Sequence, residues 1–183
     1  IRANLLPLSL EARDIIIPSP TNARAIAVRR VRAYINPFPL LYRSLSLPSL
    51  LVQEPRVAVE RSADGSLDLE ALVRAIRANL ARRGGTGPSY DIHLRTITVR
   101  KGTFTLTEPS SGLRVVLAKL DGKARLSVPE IAASLRISSG DLTVTTPTYP
   151  PVTASVQGAG SLEHGTVTFH SLELRSEGSR ATL

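Results

Sequence analysis

The sequence predicts a mainly β protein with a few short α-helices, built as a meander of long antiparallel strands. Three observations predict it. Apolar and polar residues alternate at period two through most of the chain. A strand–glycine–strand unit recurs in the second half. Only two short windows switch to the 3.6-residue period of a helix. At 183 residues, the chain is long enough for one or two domains and a sizeable core.

Taken in order, residues 5–17, "LLPLSLEARDIII", alternate loosely and then run apolar, giving one or two strands ended by Pro18 and Pro20. Residues 24–35 follow, with Ile26 and Val28 in one phase and Val31, Ala33 and Ile35 in the other. That one-residue slip near Arg29-Arg30 marks a β-bulge or a tight turn. In "NPFPLLYRSL" Asn36 can cap a helix whose first residue is Pro37. Phe38, Leu41, Tyr42 and Leu45 then fall at helical spacing, which predicts a short helix over about 37–46. Leu50 and Val52 resume strand alternation, and after Pro55 the phase switches to Val57 and Val59. A proline at a phase switch suits a bulged or edge strand.

"DGSLDLEAL" starts the clearest helix. Leu69, Leu72, Val73, Ile76 and Leu80 form one face. Asp68 or Ser66 can cap the start, Glu70 pairs with Arg74, and Gly84 or Gly85 can end it. A helix over about 68–83 is expected, followed by the flexible connector "GGTGPS" at 84–89. From Tyr90 onward no helical signal exceeds "PEIAAS" (129–134).

The recurring unit is carried by Val99-Gly102-Phe104-Leu106, Ile137-Gly140-Leu142-Val144 and Leu162-Gly165-Val167-Phe169. Each glycine is expected to supply a positive φ at a tight hairpin turn, or at a bulge beside one. The spacings of 38 and 25 residues exclude a solenoid of fixed period. Thr, Ser, Arg and Lys occupy the alternate positions, as in an antiparallel sheet with one solvated face. The chain therefore reads as one module: a helix-containing N-terminal cap region (1–83), the connector, and a β-repeat region (90–183). Two short helices cannot cover all the strands, so the sheet either curls on itself or leaves an apolar trough.

The net charge is +8, and 20 of the 23 basic residues are Arg. Residues 1–100 hold 15 Arg against 8 acids, and later residues are nearly balanced. Arg24, Arg29, Arg30 and Arg32 form one cluster, and Arg74, Arg77, Arg82 and Arg83 another. Such asymmetry suggests a polyanionic partner: phospholipid headgroups, nucleic acid or an acidic protein. Nucleic acid is disfavoured, because aromatics are only 4% and Trp is absent, whereas base stacking needs aromatic platforms.

Chemistry is scarce. Cys is absent, which removes disulfides and thiolate catalysis. His93, His164 and His170 lack metal-ligand spacing. No phosphate-binding glycine loop and no nucleophile elbow occurs. We expect no enzyme activity, no metal and no cofactor. No run of about 18 apolar residues is present for a membrane-spanning helix. The chain contains no Met even at its start, as expected of a fragment or a processed product.

The stretch "VRRVRAYINPFPLLYRSLSLPSLLVQEPRVAVERSADGSLDLEAL" (28–72) resembles the N-terminal region of AsmA-like and TamB-like proteins of Gram-negative envelopes. The later "LRISSGDLTV" and "SVQGAGSLEHGTVTFHSLELRSEGS" resemble the β-repeats of the same proteins. The resemblance implies a long, curved sheet forming a half-open apolar groove, capped near its N-terminal end by the two helices. It implies a periplasmic location, held to the inner membrane by an N-terminal helix not present here. It also implies a part in phospholipid movement between inner and outer membranes, with outer-membrane protein assembly as the alternative. The apolar repeat positions Val99, Phe104, Leu106, Val115, Leu117, Ile137, Leu142, Val144, Val167 and Phe169 would then meet phospholipid acyl chains. Arg24, Arg29, Arg30 and Arg32 would lie on the anionic membrane surface. In the alternative, exposed sheet edges would pair with strands of client proteins or outer-membrane assembly partners.

Overall fold

A computed structural model describes residues 2–5, 8–18, 25–38, 42, 44–62, 91–127, 132–163, 166–176 and 179–182. They form a single open sheet of eleven strands. The strands are β1 (Arg2–Leu5), β2 (Leu8–Ile17), β3 (Ile26–Asn36), β4 (Ser44–Glu60), β5 (Asp91–Leu94), β6 (Thr96–Glu108), β7 (Leu113–Ser127), β8 (Ala132–Thr145), β9 (Val152–Glu163), β10 (Thr166–Ser176) and β11 (Ser179–Thr182). Neighbours in space follow the chain, in the order β1-β2-β3-β4-β6-β7-β8-β9-β10-β11, with β5 beside β4. The path does not close, so the sheet is not a barrel.

Pairing is antiparallel except at β4, which pairs parallel with β5 and β6. The chain leaves β4 at Glu60, which lies opposite Thr107, and re-enters at Asp91, opposite Ser44. Residues 61–90 join the two. The predicted helix at 68–83 and the connector at 84–89 fall in this stretch and lie outside the described residues.

The other predicted helix, over 37–46, is corrected at its end. Asn36 accepts the Phe38 amide at 3.3 Å, as a cap would. Residues 44–46 are strand, because β4 begins at Ser44 and Ser46 pairs with Asn36. Residues 39–41 and 43 lie outside the described residues. Phe38 and Tyr42, two members of the predicted helical face, are well exposed.

A second correction concerns the repeat glycines. Gly102 and Gly140 are not at hairpin turns but inside β6 and β8. Gly165 lies outside the described residues. The positive φ belongs to Lys101 (52°), beside Gly102, and recurs at Asp14 (53°), Glu54 (50°) and Lys119 (50°). A Cβ on Gly102 would stand 3.1 Å from Val99 Cγ1 and 3.3 Å from Pro55 Cγ. Here glycine answers a close approach, not a dihedral. The one described glycine with positive φ is Gly112 (67°), in the β6–β7 hairpin.

These left-handed residues form a crease. In register, Arg29 of β3 stands between Asp14 of β2 and Glu54 of β4, and Glu54 stands beside Lys101 of β6. Lys101 donates its backbone N–H to Asp121 of β7 at 2.7 Å. Pairing shifts at the same level between β6 and β7, β7 and β8, and β8 and β9. Each bulge bends its strand and shifts the side-chain phase by one. The alternation in the sequence slips at the same place. In β6, for example, Ile97 and Val99 precede the crease at odd positions, and Phe104 and Leu106 follow it at even ones. Apolar side chains therefore stay on one face throughout.

No large side chain among the described residues is fully buried, and the buried apolar set is small: Ala25, Val59, Ala133 and Val156. This is what one sheet without a second packed layer produces.

Candidate functional site

Residues opposite one another on neighbouring strands share a face, so the register assembles the apolar surface directly. On one side of the crease Ile26, Val57, Phe104, Leu117, Leu142 and Ala154 form a row across six strands. Val59, Leu106, Val115, Val144 and Val152 form the next row. On the other side, Ala12, Val31, Val52, Val99, Gly122 and Ile137 run in line. So do Leu10, Ala33, Leu50, Ile97, Ala124, Leu135, Gly160 and Phe169. The halves lie on the same face, because Gly102 abuts Val99 across the crease and Gly140 abuts Leu117 and Leu120.

Nine of the ten predicted apolar positions thus join one surface. The tenth, Val167, is paired in the backbone with Leu162 on β9. The surface is open: Val152 is 58% exposed, Phe169 52% and Leu10 45%. The glycines let strands and side chains approach. A Cβ at Gly160 would fall 2.5 Å from the Thr168 carbonyl oxygen, and one at Gly122 2.9 Å from that of Arg136. Both are nearer than real Cβ contacts permit.

The opposite face is polar. Ala58, Thr105, Val116, Thr143 and Thr153 form one row, and Glu60, Thr107, Arg114 and Thr145 another. Two hollows lie on this face. The first, about 880 Å³, is bordered by Arg13, Arg30, Tyr34, Gln53, Arg100 and other residues along the crease. The second, about 700 Å³, lies over β6–β9 and is bordered by Arg100, Lys123, Arg125 and Arg136, among others. Of the ten predicted apolar positions only Val99 borders either hollow. The apolar surface is laid out as rows along the sheet, not as one of these pits.

The predicted basic cluster is held by acids. Arg24 lies outside the described residues. Arg29 pairs with Glu54 at 2.9 Å. Glu11 on β2 takes Arg13 at 2.6 Å, Arg30 at 3.1 Å and Arg32 at 2.8 Å. Its carboxylate is nearly buried, and the hydrogen bonds from Arg32 and Arg13 lower its pKa to about 2 despite desolvation. Glu11 thus offsets one of the three charges and fixes the guanidinium groups of Arg13, Arg30 and Arg32 in place. Sequence reading missed both Glu11, which is separated in sequence from Arg30 and Arg32, and the cations of β6–β8. The signal for the latter was present: Arg100, Lys123, Arg125 and Arg136 share the phase of the threonines and serines.

A comparison with known protein families matches residues 1–172 to the AsmA family. The chain belongs to the AsmA family. No curated protein matches it significantly. The expected resemblance is thereby established over nearly the whole chain. The AsmA-family module is mainly β, as expected, although β4 pairs parallel with both β5 and β6 and residues 44–46 are strand rather than helix.

Proposed function

We propose that this AsmA-family chain is a lipid-binding sheet module of the Gram-negative envelope, acting in phospholipid transport between inner and outer membranes. It would work in the periplasm, tethered to the inner membrane by a helix outside this sequence. Phospholipid acyl chains lie along the apolar rows, with Phe104, Leu117 and Leu142 at the centre. The module binds and conducts; it catalyses nothing. The observation that carries this reading is the continuity of the apolar rows across a sheet with no second packed layer among the described residues. Apolar patches beyond a few hundred Å² are rare on proteins that leave them in water. About 25 cal/mol is gained for each Å² an acyl chain covers. Family membership supports the envelope setting.

The test is site-specific photo-crosslinking in the full chain with bound phospholipid. A crosslinker at 104 or 142 is expected to capture lipid, and one at 105 or 143, on the threonine face, is not. Phospholipid should co-purify and be seen by mass spectrometry. Absence of lipid together with equal labelling of both faces overturns the reading. Loss of client-protein binding on proline substitution in an edge strand, with no effect of charges at 104 and 142, would favour strand pairing instead.

A further inference from the structure

The polar face carries two sets of cations that are treated differently. On β2 and β3 one nearly buried carboxylate, Glu11, pairs with Arg13, Arg30 and Arg32 and offsets one of their three charges. On β6, β7 and β8 the ion-paired acids Glu108 and Asp141 hold Arg61 and Lys119, and other cations are left without one among the described residues. Arg100, Lys123, Arg125 and Arg136 border one hollow of about 700 Å³, and none of them forms an ion pair with another described residue. Among the described residues the one carboxylate bordering it, Asp121, accepts the Lys101 amide. Lys123 and Arg136 are directly opposite in the register, an arrangement that destabilises a sheet when left uncompensated. Arg125 stands two residues further along β7, about 6.7 Å away, and strands are about 4.8 Å apart. The cations thus fall within the span of a small polyanion. Thr98 and Ser134 add hydroxyl donors to the same hollow.

The geometry points to an anion site on this face for a ligand with two or more phosphoryl groups. Lys123 and Arg136 clamp one group between strands. Arg100 and Arg125 neutralise the second, and the hydroxyls fix orientation. Arginine's planar fork suits phosphate oxygens. The site lies on the opposite face from the acyl-chain rows, so it goes beyond that reading and stands if that reading falls. A soluble phosphate compound and the phosphates of lipid headgroups share this chemistry.

The experiment uses the full chain. Inorganic pyrophosphate is titrated by calorimetry and by thermal shift, and vesicles of phosphatidylcholine are tested with and without phosphatidylglycerol. Pyrophosphate is expected to raise the melting temperature by linkage, less so as salt rises. Lys123→Ser and Arg136→Ser should each weaken binding about tenfold, the loss of one charge-assisted contact. Arg114→Ser, on the same face but outside the hollow, should bind as the parent does. Without anion, Lys123→Ser should melt no lower than the parent, because it removes a like-charge contact; this separates lost binding from lost folding. Capture of the phosphatidylglycerol vesicles with displacement by pyrophosphate assigns the site to headgroups. Pyrophosphate binding without vesicle capture assigns it to a soluble phosphate compound. The proposal is overturned if neither probe binds, if both Ser variants bind like the parent, or if single-stranded RNA binds and pyrophosphate does not compete.

Discussion

Deleting Lys101 tests whether the crease keeps the two faces apart. Lys101 has a left-handed φ of 52° and no ion pair with any described residue. Its removal takes out the extra residue that absorbs the phase slip in β6. Phe104 and Leu106 would then turn to the threonine face, and Thr105 and Thr107 to the apolar rows. Both apolar side chains are half-buried, so each loses roughly half of the about 1.5–3 kcal/mol that full burial supplies. The sum is about 1.5–3 kcal/mol, a large part of an ordinary domain's roughly 5–15 kcal/mol. With a urea m-value of about 2 kcal/mol/M, the midpoint falls by about 0.8–1.5 M. Lys101→Gly is the control. Relief of the left-handed backbone gains about 1–2 kcal/mol, glycine's freedom in the unfolded chain costs about 0.5–1 kcal/mol, and the phase is kept. Its midpoint should lie close to the parent's or slightly above. Because the chain has no cysteine, spin labels can be placed uniquely at 104 and 142, two strands apart and about 10 Å by strand spacing. Dipolar broadening should persist in Lys101→Gly and vanish in the deletion. If the deletion keeps both its midpoint and the broadening, the crease does not set the faces and the reasoning fails.

Three further outcomes are expected. Gly160→Ala forces a Cβ to within 2.5 Å of a backbone oxygen and should cost about 1–3 kcal/mol by overpacking, read by chemical denaturation. Val59→Ala, at a position only 3% exposed, should lower stability by about 1–2 kcal/mol at about 0.8 kcal/mol per buried methylene, whereas Val152→Ala, at 58% exposure, should change it little. Glu11 has a folded pKa of about 2 against an ordinary 4.5. Its stabilisation is therefore complete above about pH 4.5 and is lost as pH falls towards 2. Urea midpoints measured across that window should fall less steeply in Glu11→Gln than in the parent.

Strands were legible in the sequence because period-two alternation is local. The crease was half legible: the slips at Val28–Val31 and Val52–Val57 pointed to bulges, while the same slip in β6 and β8 left a hairpin turn and a bulge as alternatives. A glycine beside a bulge and a glycine in a turn look alike in one dimension. What distinguishes them here is that alternation resumes after a single residue, with no loop between. The predicted helix at 37–46 ran too far because Leu45 matches the helical spacing of Phe38, Leu41 and Tyr42, yet it lies in β4. The rows could not be read at all. Phe104, Leu117 and Leu142 are far apart in sequence and meet only through pairing. Charge was misleading for the same reason. The dense cluster at 29–32 is tied into ion pairs with Glu54 and Glu11, whereas Lys123 and Arg136, thirteen residues apart, come together without an ion-pair partner among the described residues.

A single sheet can bend only where strands take up extra residues, and each such residue inverts every side chain beyond it. Faces survive the bend only if the sequence slips its alternation at the same point. Strands β2, β3, β4, β6, β7, β8 and β10 all do so: Ala12 to Ile15, Val31 to Val28, Val52 to Val57, Val99 to Phe104, Leu117 to Leu120, Ile137 to Leu142, and Phe169 to Leu172 each change parity. Strand β9 does not; Val152, Ala154, Val156, Gly158 and Gly160 keep one phase throughout. Its register with β8 shifts between Ile137 and Asp141, and its register with β10 shifts between Phe169 and Ser171. The strand without a slip is thus accommodated by a change of pairing on both sides, and the apolar row runs on through Gly160 to Phe169. Agreement between local pattern and long-range pairing at every strand is what a sequence selected for a continuous apolar face requires. A sheet merely tolerating bulges would scatter its apolar residues to both sides of the crease.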